Sequence, residues 1–120
     1  MITNYMIIGY GWRADFYYRI AKLLPERFSV CAGVLRTEER AKEVAHKEGV
    51  FATSDLDQAL ERKQDFAVLC VPRDVTKDYL VKLMKKGIPV LCETPPGKNV
   101  EELKELWEMS QKYNGRIQIV

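Results

Sequence analysis

The segment that most constrains this chain is Tyr5-Met6-Ile7-Ile8-Gly9-Tyr10-Gly11-Trp12-Arg13-Ala14. An apolar run ends in G-x-G-x-x-A and passes directly into a helix-like stretch. This is the fingerprint of a strand–turn–helix unit that binds a dinucleotide. Gly9 permits the tight turn. Gly11 has no side chain, so a pyrophosphate can approach its backbone. Ala14 is small enough for helix and strand to pack closely. The helix that follows aims its free N–H groups and the positive end of its dipole at the phosphates. The alternative is a glycine-rich turn with no ligand. The position of the motif, after the first strand and before the first helix, favours the dinucleotide.

The rest of the chain alternates strand and helix. The first strand is expected over about Tyr5 to Ile8 and the first helix over Arg13 to Leu24, where Pro25 stops it. Phe28 to Leu35 reads as a strand covered on both faces. Thr37 is placed to cap a second helix ending at Gly49. Val50 to Ala52 is a short third strand, and Ser54 opens a short helix to Glu61. Phe66 to Val71 is the fourth strand. Asp74 caps a helix to Lys86, closed by Gly87. Ile88 to Cys92 is the fifth strand. Asn99 and Glu102 form a capping box for a helix to Tyr113, and Arg116 to Val120 is the sixth strand. This alternation predicts one α/β domain over residues 1–120. It is a Rossmann-type, doubly wound parallel sheet with strand order 3-2-1-4-5-6.

Composition excludes several functions. The 19 basic and 17 acidic residues leave a net charge of +2, no footprint for nucleic acid or a membrane surface. No apolar run approaches the ~20 residues that span a bilayer. Met1 to Asn4 leads straight into the first strand, so no signal peptide is expected and the cytoplasm is the expected location. Cys31, Cys70 and Cys92 lie in apolar runs without a C-x-x-C pair, and His46 is the single histidine. Reduced, buried, structural thiols and no metal site are expected.

In a sheet of this kind the ligand lies beyond the C-terminal ends of the strands. Gly9, Tyr10 and Gly11 follow the first strand, Arg36 and Thr37 the second, Val71, Pro72 and Arg73 the fourth, and Glu93-Thr94-Pro95 the fifth. All converge on one edge. The end of the second strand separates NAD from NADP. An NAD site places a carboxylate there for the adenosine ribose. Here the strand ends Val34-Leu35-Arg36-Thr37, with no carboxylate before Glu38. Arg36 can pair with a 2′-phosphate and Thr37 can donate its hydroxyl to it, so NADP is favoured over NAD. The competing reading makes Arg36 a solvated charge and Thr37 only a cap. Arg13 either screens the pyrophosphate or is merely exposed. Trp12 either covers the cofactor or packs on a further domain.

The chain resembles the N-terminal domain of the glucose–fructose oxidoreductase / inositol dehydrogenase / rhizopine-catabolism (Gfo/Idh/MocA) oxidoreductases. The resemblance rests on the Gly9-to-Ala14 turn, Glu39-Arg40-Ala41, Val71-Pro72-Arg73 and Lys86-Gly87-Ile88-Pro89-Val90-Leu91-Cys92-Glu93-Thr94-Pro95. It implies a pyridine-nucleotide-dependent dehydrogenase or reductase, often for sugars, cyclitols or related polyols. It also implies that this chain is the nucleotide domain alone, its substrate domain absent. The small-molecule substrate would then be held by that second domain. A homo-oligomer is expected, and the chain by itself is expected to bind nucleotide without useful turnover.

Three positions depart from the family pattern. Thr94 stands where typical members carry a lysine that reaches the nicotinamide ribose and the substrate. Leu35 replaces an acidic residue, and Thr76 a histidine. Glu93 and Thr94 are the candidates for a catalytic role, although Glu93 reads more readily as a holder of the turn after the fifth strand. Three functions remain open on the sequence: the cofactor domain of an oxidoreductase, a non-catalytic nucleotide-binding or redox-sensing module, and a Rossmann domain for S-adenosylmethionine or coenzyme A.

Overall fold

The computed structural model describes residues 1–120. Its strands are β1 (Thr3–Ile8), β2 (Phe28–Val34), β3 (Ala52–Thr53), β4 (Phe66–Leu69), β5 (Val90–Cys92) and β6 (Ile117–Ile119). Its helices are α1 (Trp12–Leu23), α2 (Glu38–Glu48), α3 (Leu56–Leu60), α4 (Arg73–Lys85) and α5 (Val100–Tyr113). The six strands form one sheet in the order β3-β2-β1-β4-β5-β6. Every neighbouring pair is parallel. The topological switch therefore lies between β1 and β4, where the order reverses and a crevice opens.

β1 shows why the sheet is covered on both faces. Its residues alternate with period two. Met6 and Ile8 enter a core with Val34, Leu69, Leu80, Leu83 and Leu106, under α4 and α5. Tyr5 and Ile7 enter a second core with Ala14, Tyr18, Ala41 and Val44, under α1 and α2. Helices on opposite faces thus bury alternate residues of one strand, and no strand residue in the centre can be polar without cost.

Local chemistry sets the element ends, and some differ from expectation. Thr37 caps α2, its Oγ1 accepting from Arg40 N at 3.2 Å, and Gly49 closes that helix in the left-handed region. Asn99 caps α5 by accepting from Glu102 N at 2.9 Å. The cap of α3 is Asp55, not Ser54. Asp55 Oδ1 accepts from Asp57 N at 3.0 Å, while Ser54 Oγ donates to Glu38 at 2.5 Å. Asp74 does not cap α4. That helix begins one residue earlier, after Pro72, whose φ of −56° suits a helix entry and which has no N–H to leave unpaired. β4 stops at Leu69, and Val71 with Pro72 turns out of the sheet. No helix is long and apolar enough to cross a membrane.

The thiols are free, but only Cys92 is fully buried; Cys31 and Cys70 are half-buried. Cys31 sits where the β1–β2 register skips from Val30 to Ala32. Cys70 lies just beyond β4, at the crevice. Burial still pushes the Cys31 thiol above its ordinary range. It raises Cys92 to about 11 and Cys70 to about 12, Glu93 adding to both.

Candidate functional site

The turn after β1 is built around two glycines with different tasks. Gly9 has φ +102° and donates its N–H to Val34 O at 2.8 Å. A Cβ there would lie 2.1 Å from the Cys70 carbonyl oxygen, so the glycine lets the β1 and β4 ends approach. Gly11 has φ +135°, and a Cβ there would meet nothing within 4 Å. Its vacant side opens onto the crevice. Gly11 is also the N-cap of α1, and no side chain caps that helix. The first-turn N–H groups of a 12-residue helix are thus left for an anion at an open position. This cradle fits a dinucleotide pyrophosphate. Ala14 is buried against the sheet, as close helix–strand packing requires.

Two adjoining hollows flank the turn. The larger, about 400 Å³, is lined on one side by Gly9, Tyr10, Val34, Leu35, Arg36 and Arg40, and on the other by Cys70, Val71, Pro72, Asp74, Val75 and Tyr79. The smaller, about 290 Å³, is lined by Tyr10, Gly11, Trp12, Arg13, Ala14, Cys70, Val71, Glu93 and Thr94. Tyr10, Cys70 and Val71 belong to both, so the two form one cleft across the ends of β1 and β4. The cleft brings together most of the residues expected from the sequence. Thr37, Arg73 and Pro95 line neither hollow. Arg36 is exposed at the β2 end, while Leu35 is buried beneath it. Glu38, the first carboxylate after β2, is turned away. It accepts from Ser54 N at 2.8 Å and from Ser54 Oγ. The serine hydroxyl, followed by its backbone N–H, holds the Glu38 carboxyl below the usual range.

Arg40 was not singled out for the cleft from the sequence. Its guanidinium carbon lies 5.8 Å from the Tyr10 ring centroid, and Nη1 pairs with Glu43 at 2.9 Å. The signal was present in its position: Arg40 stands in the first turn of α2, three residues after the Thr37 cap. Tyr10 is itself fixed from behind. Its hydroxyl donates to Glu48 at 2.8 Å, and Glu48 accepts from Lys22 at 2.5 Å. Burial acts to raise the Glu48 carboxyl, but Lys22 and the Tyr10 hydroxyl outweigh it and hold it below the usual range. One buried carboxylate thus ties α1, α2 and the glycine turn together.

At the other end of the cleft Glu93 is engaged on both oxygens. Arg13 Nε donates to Oε1 at 2.8 Å and Nη2 to Oε2 at 3.4 Å; the Tyr17 hydroxyl donates to Oε2 at 3.2 Å. Glu93 therefore bridges the end of β5 to the start of α1. Burial, followed by the Glu93 charge, raises the Tyr17 hydroxyl to about 12. Thr94 lines the hollow beside this pair, and its N–H donates to Val120 O at 3.0 Å. No group of three or more His, Cys, Asp or Glu side chains is arranged to hold a metal ion.

Residues 3–120 match the model of an oxidoreductase family with an NAD-binding Rossmann fold, GFO_IDH_MocA. A curated relative, the scyllo-inositol 2-dehydrogenase (NADP(+)) IolU of Bacillus subtilis, is 34% identical over 118 residues. That alignment takes in 97% of this chain and 35% of the relative. Among solved structures, the WlbA dehydrogenase of Bordetella pertussis, in complex with NADH and UDP-GlcNAcA, superposes at TM-score 0.87 with 16% identity. It aligns with 100% of this chain and 37% of its own. The biliverdin reductase of Synechocystis, in complex with biliverdin and NADP+, gives TM-score 0.81 at 14% identity, over 98% of this chain and 37% of its own. These distant structures share the fold. The chain spans about a third of the length of the relatives it matches. Nicotinamide dinucleotide, rather than S-adenosylmethionine or coenzyme A, is the ligand for which this family's domain is built.

Proposed function

The chain belongs to the Gfo/Idh/MocA oxidoreductase family, and from that membership we propose that it forms the dinucleotide half of an NADP(H)-preferring enzyme acting on a sugar, cyclitol or similar compound. The observation that carries the cofactor preference is the rim of the larger hollow. It presents the guanidinium-bearing residues Arg36 and Arg40 from the β2–α2 side and no carboxylate from that side. A guanidinium matches the oxygens of a 2′-phosphate, whereas a ribose 2′-hydroxyl pairs best with a carboxylate. The name of the IolU relative, with NADP(+) and an inositol in it, supports both parts of the reading.

Bound nicotinamide dinucleotide supplies the hydride donor or acceptor carbon. The chain's own residues hold and orient it. Gly11 and the first turn of α1 receive the pyrophosphate. Arg36 and Arg40 take the 2′-phosphate, and Pro72 with Val75 covers the adenosine from the β4–α4 side. The smaller hollow then receives the nicotinamide riboside beside Thr94. Thr94 carries no charge, so proton movement in the reaction falls to a group of the substrate-binding part of the enzyme. A non-catalytic binding module is the second reading, favoured by Thr94 alone.

Titration of the 120-residue chain by fluorescence tests the cofactor reading. NADPH is expected to bind at least about tenfold more tightly than NADH, the lower bound for a charge-assisted hydrogen bond. S-adenosylmethionine and coenzyme A should not compete. Equal or tighter binding of NADH would overturn the preference.

A further inference from the structure

We infer that the Arg13–Glu93 ion pair balances the cleft between the two redox forms of the dinucleotide, each charge cancelling the other's effect on the oxidised ring. The inference rests on the reading above, in which the nicotinamide lies at the Thr94 end. The two redox forms differ there in one respect that electrostatics can read. The oxidised ring carries a positive charge and the reduced ring carries none.

The smaller hollow contains two formal charges, Arg13 and Glu93. The remaining titratable groups at its wall are neutral at ordinary pH. Cys70 is raised to about 12 by burial and then by Glu93, and burial raises the Tyr10 hydroxyl too. Thr94 supplies no cation. Arg13 is drawn into place by Glu93 and held against the faces of Trp12 and Phe16, its guanidinium carbon 5.5 and 5.3 Å from their centroids. The Arg13 side chain is 47% exposed and that of Glu93 16%, so the carboxylate is the less screened member. Paired, they present a near-neutral wall to either form of the ring. Unpaired, each would act on the oxidised ring with opposite sign: Glu93 alone attracts it, and Arg13 alone repels it.

The two neutralising variants therefore carry opposite signatures, which a purely structural role would not produce. Arg13→Gln, Glu93→Gln and the double variant are titrated with NADP+ and with NADPH at low ionic strength, where such charges are least screened. The affinity ratio of NADP+ to NADPH should rise about fivefold in Arg13→Gln and fall about fivefold in Glu93→Gln, as for one charge acting over several ångströms in partly wet surroundings. The double variant should return to the parent ratio, and Arg13→Lys should keep it. 2′-Phospho-ADP-ribose, which lacks the nicotinamide, reports whether each variant's cleft is intact. Ratios unchanged in both single variants, or shifted in the same direction, would overturn the inference. A shift in Arg13→Lys equal to that in Arg13→Gln would do so too. If the parent chain binds neither redox form, the dinucleotide reading itself fails, a different result from two forms bound with an unmoved ratio.

Discussion

Replacing Gly9 by alanine is expected to cost the domain a large part of its stability. The added Cβ would sit 2.1 Å from the Cys70 carbonyl oxygen and 2.8 Å from its carbon, far inside contact distance. Both are backbone atoms at the end of a central strand and cannot swing aside. The residue is also at φ +102°, where an L side chain is strained. Clash and strain together put the loss at about 3–5 kcal/mol, the upper range for single substitutions. A domain of this size is stable by only about 5–15 kcal/mol, so Gly9→Ala should unfold at much lower denaturant or temperature. Gly11→Ala is the contrast. Its Cβ meets nothing within 4 Å, and only the strain at φ +135° remains, about 1–3 kcal/mol. The new methyl would stand where the pyrophosphate must approach. Gly11→Ala should therefore stay folded and lose dinucleotide binding by more than about tenfold, since close backbone approach is what that glycine provides. Circular dichroism melts and NADPH titrations check both halves. A Gly9→Ala variant melting like the parent would show that the turn can move away from Cys70.

The second large effect concerns Arg36. Arg36→Ala should weaken NADPH binding by about 1.5–3 kcal/mol, the worth of a hydrogen bond to a charged group, or roughly ten- to 150-fold. NADH, without the 2′-phosphate, should change little. Arg40→Ala should lose less, because Arg40 also pairs with Glu43 and lies against Tyr10. The comparison is made by titrating parent and variants with both cofactors. Equal losses for NADPH and NADH would mean that Arg36 acts on the adenosine or the fold and does not read the phosphate.

What could be read from the residues follows the range of the interactions involved. The sheet order was legible because strand–helix alternation with short loops, right-handed crossovers and a first-turn G-x-G-x-x-A leave few topologies. Element ends were less so, since they depend on partners distant in sequence. Ser54 looks like a cap, but Glu38 takes its hydroxyl, and Asp55 caps instead. Pro72 starts α4 where Asp74 offered the better side chain. The convergence of the cleft on the β1, β2, β4 and β5 ends was legible from the edge rule. The side-chain pairings within it were not. Arg13 and Glu93 stand 80 residues apart, and nothing local says that they meet. The same holds for Tyr10 and Glu48, 38 residues apart, whose contact fixes the glycine turn from behind. Thr37 illustrates the opposite case. Its role as the α2 cap was legible locally: its oxygen accepts from Arg40 N, which leaves the hydroxyl hydrogen free to donate.

A crystal structure of this chain with NADPH would show where the dinucleotide lies in the cleft. The pyrophosphate should lie over Gly11 and the first N–H groups of α1, the 2′-phosphate within hydrogen-bonding distance of Arg36 and Arg40, and the nicotinamide beside Thr94 and the Arg13–Glu93 pair. A cofactor bound with its phosphates away from Gly11, or with its adenosine at the Thr94 end, would contradict this placement.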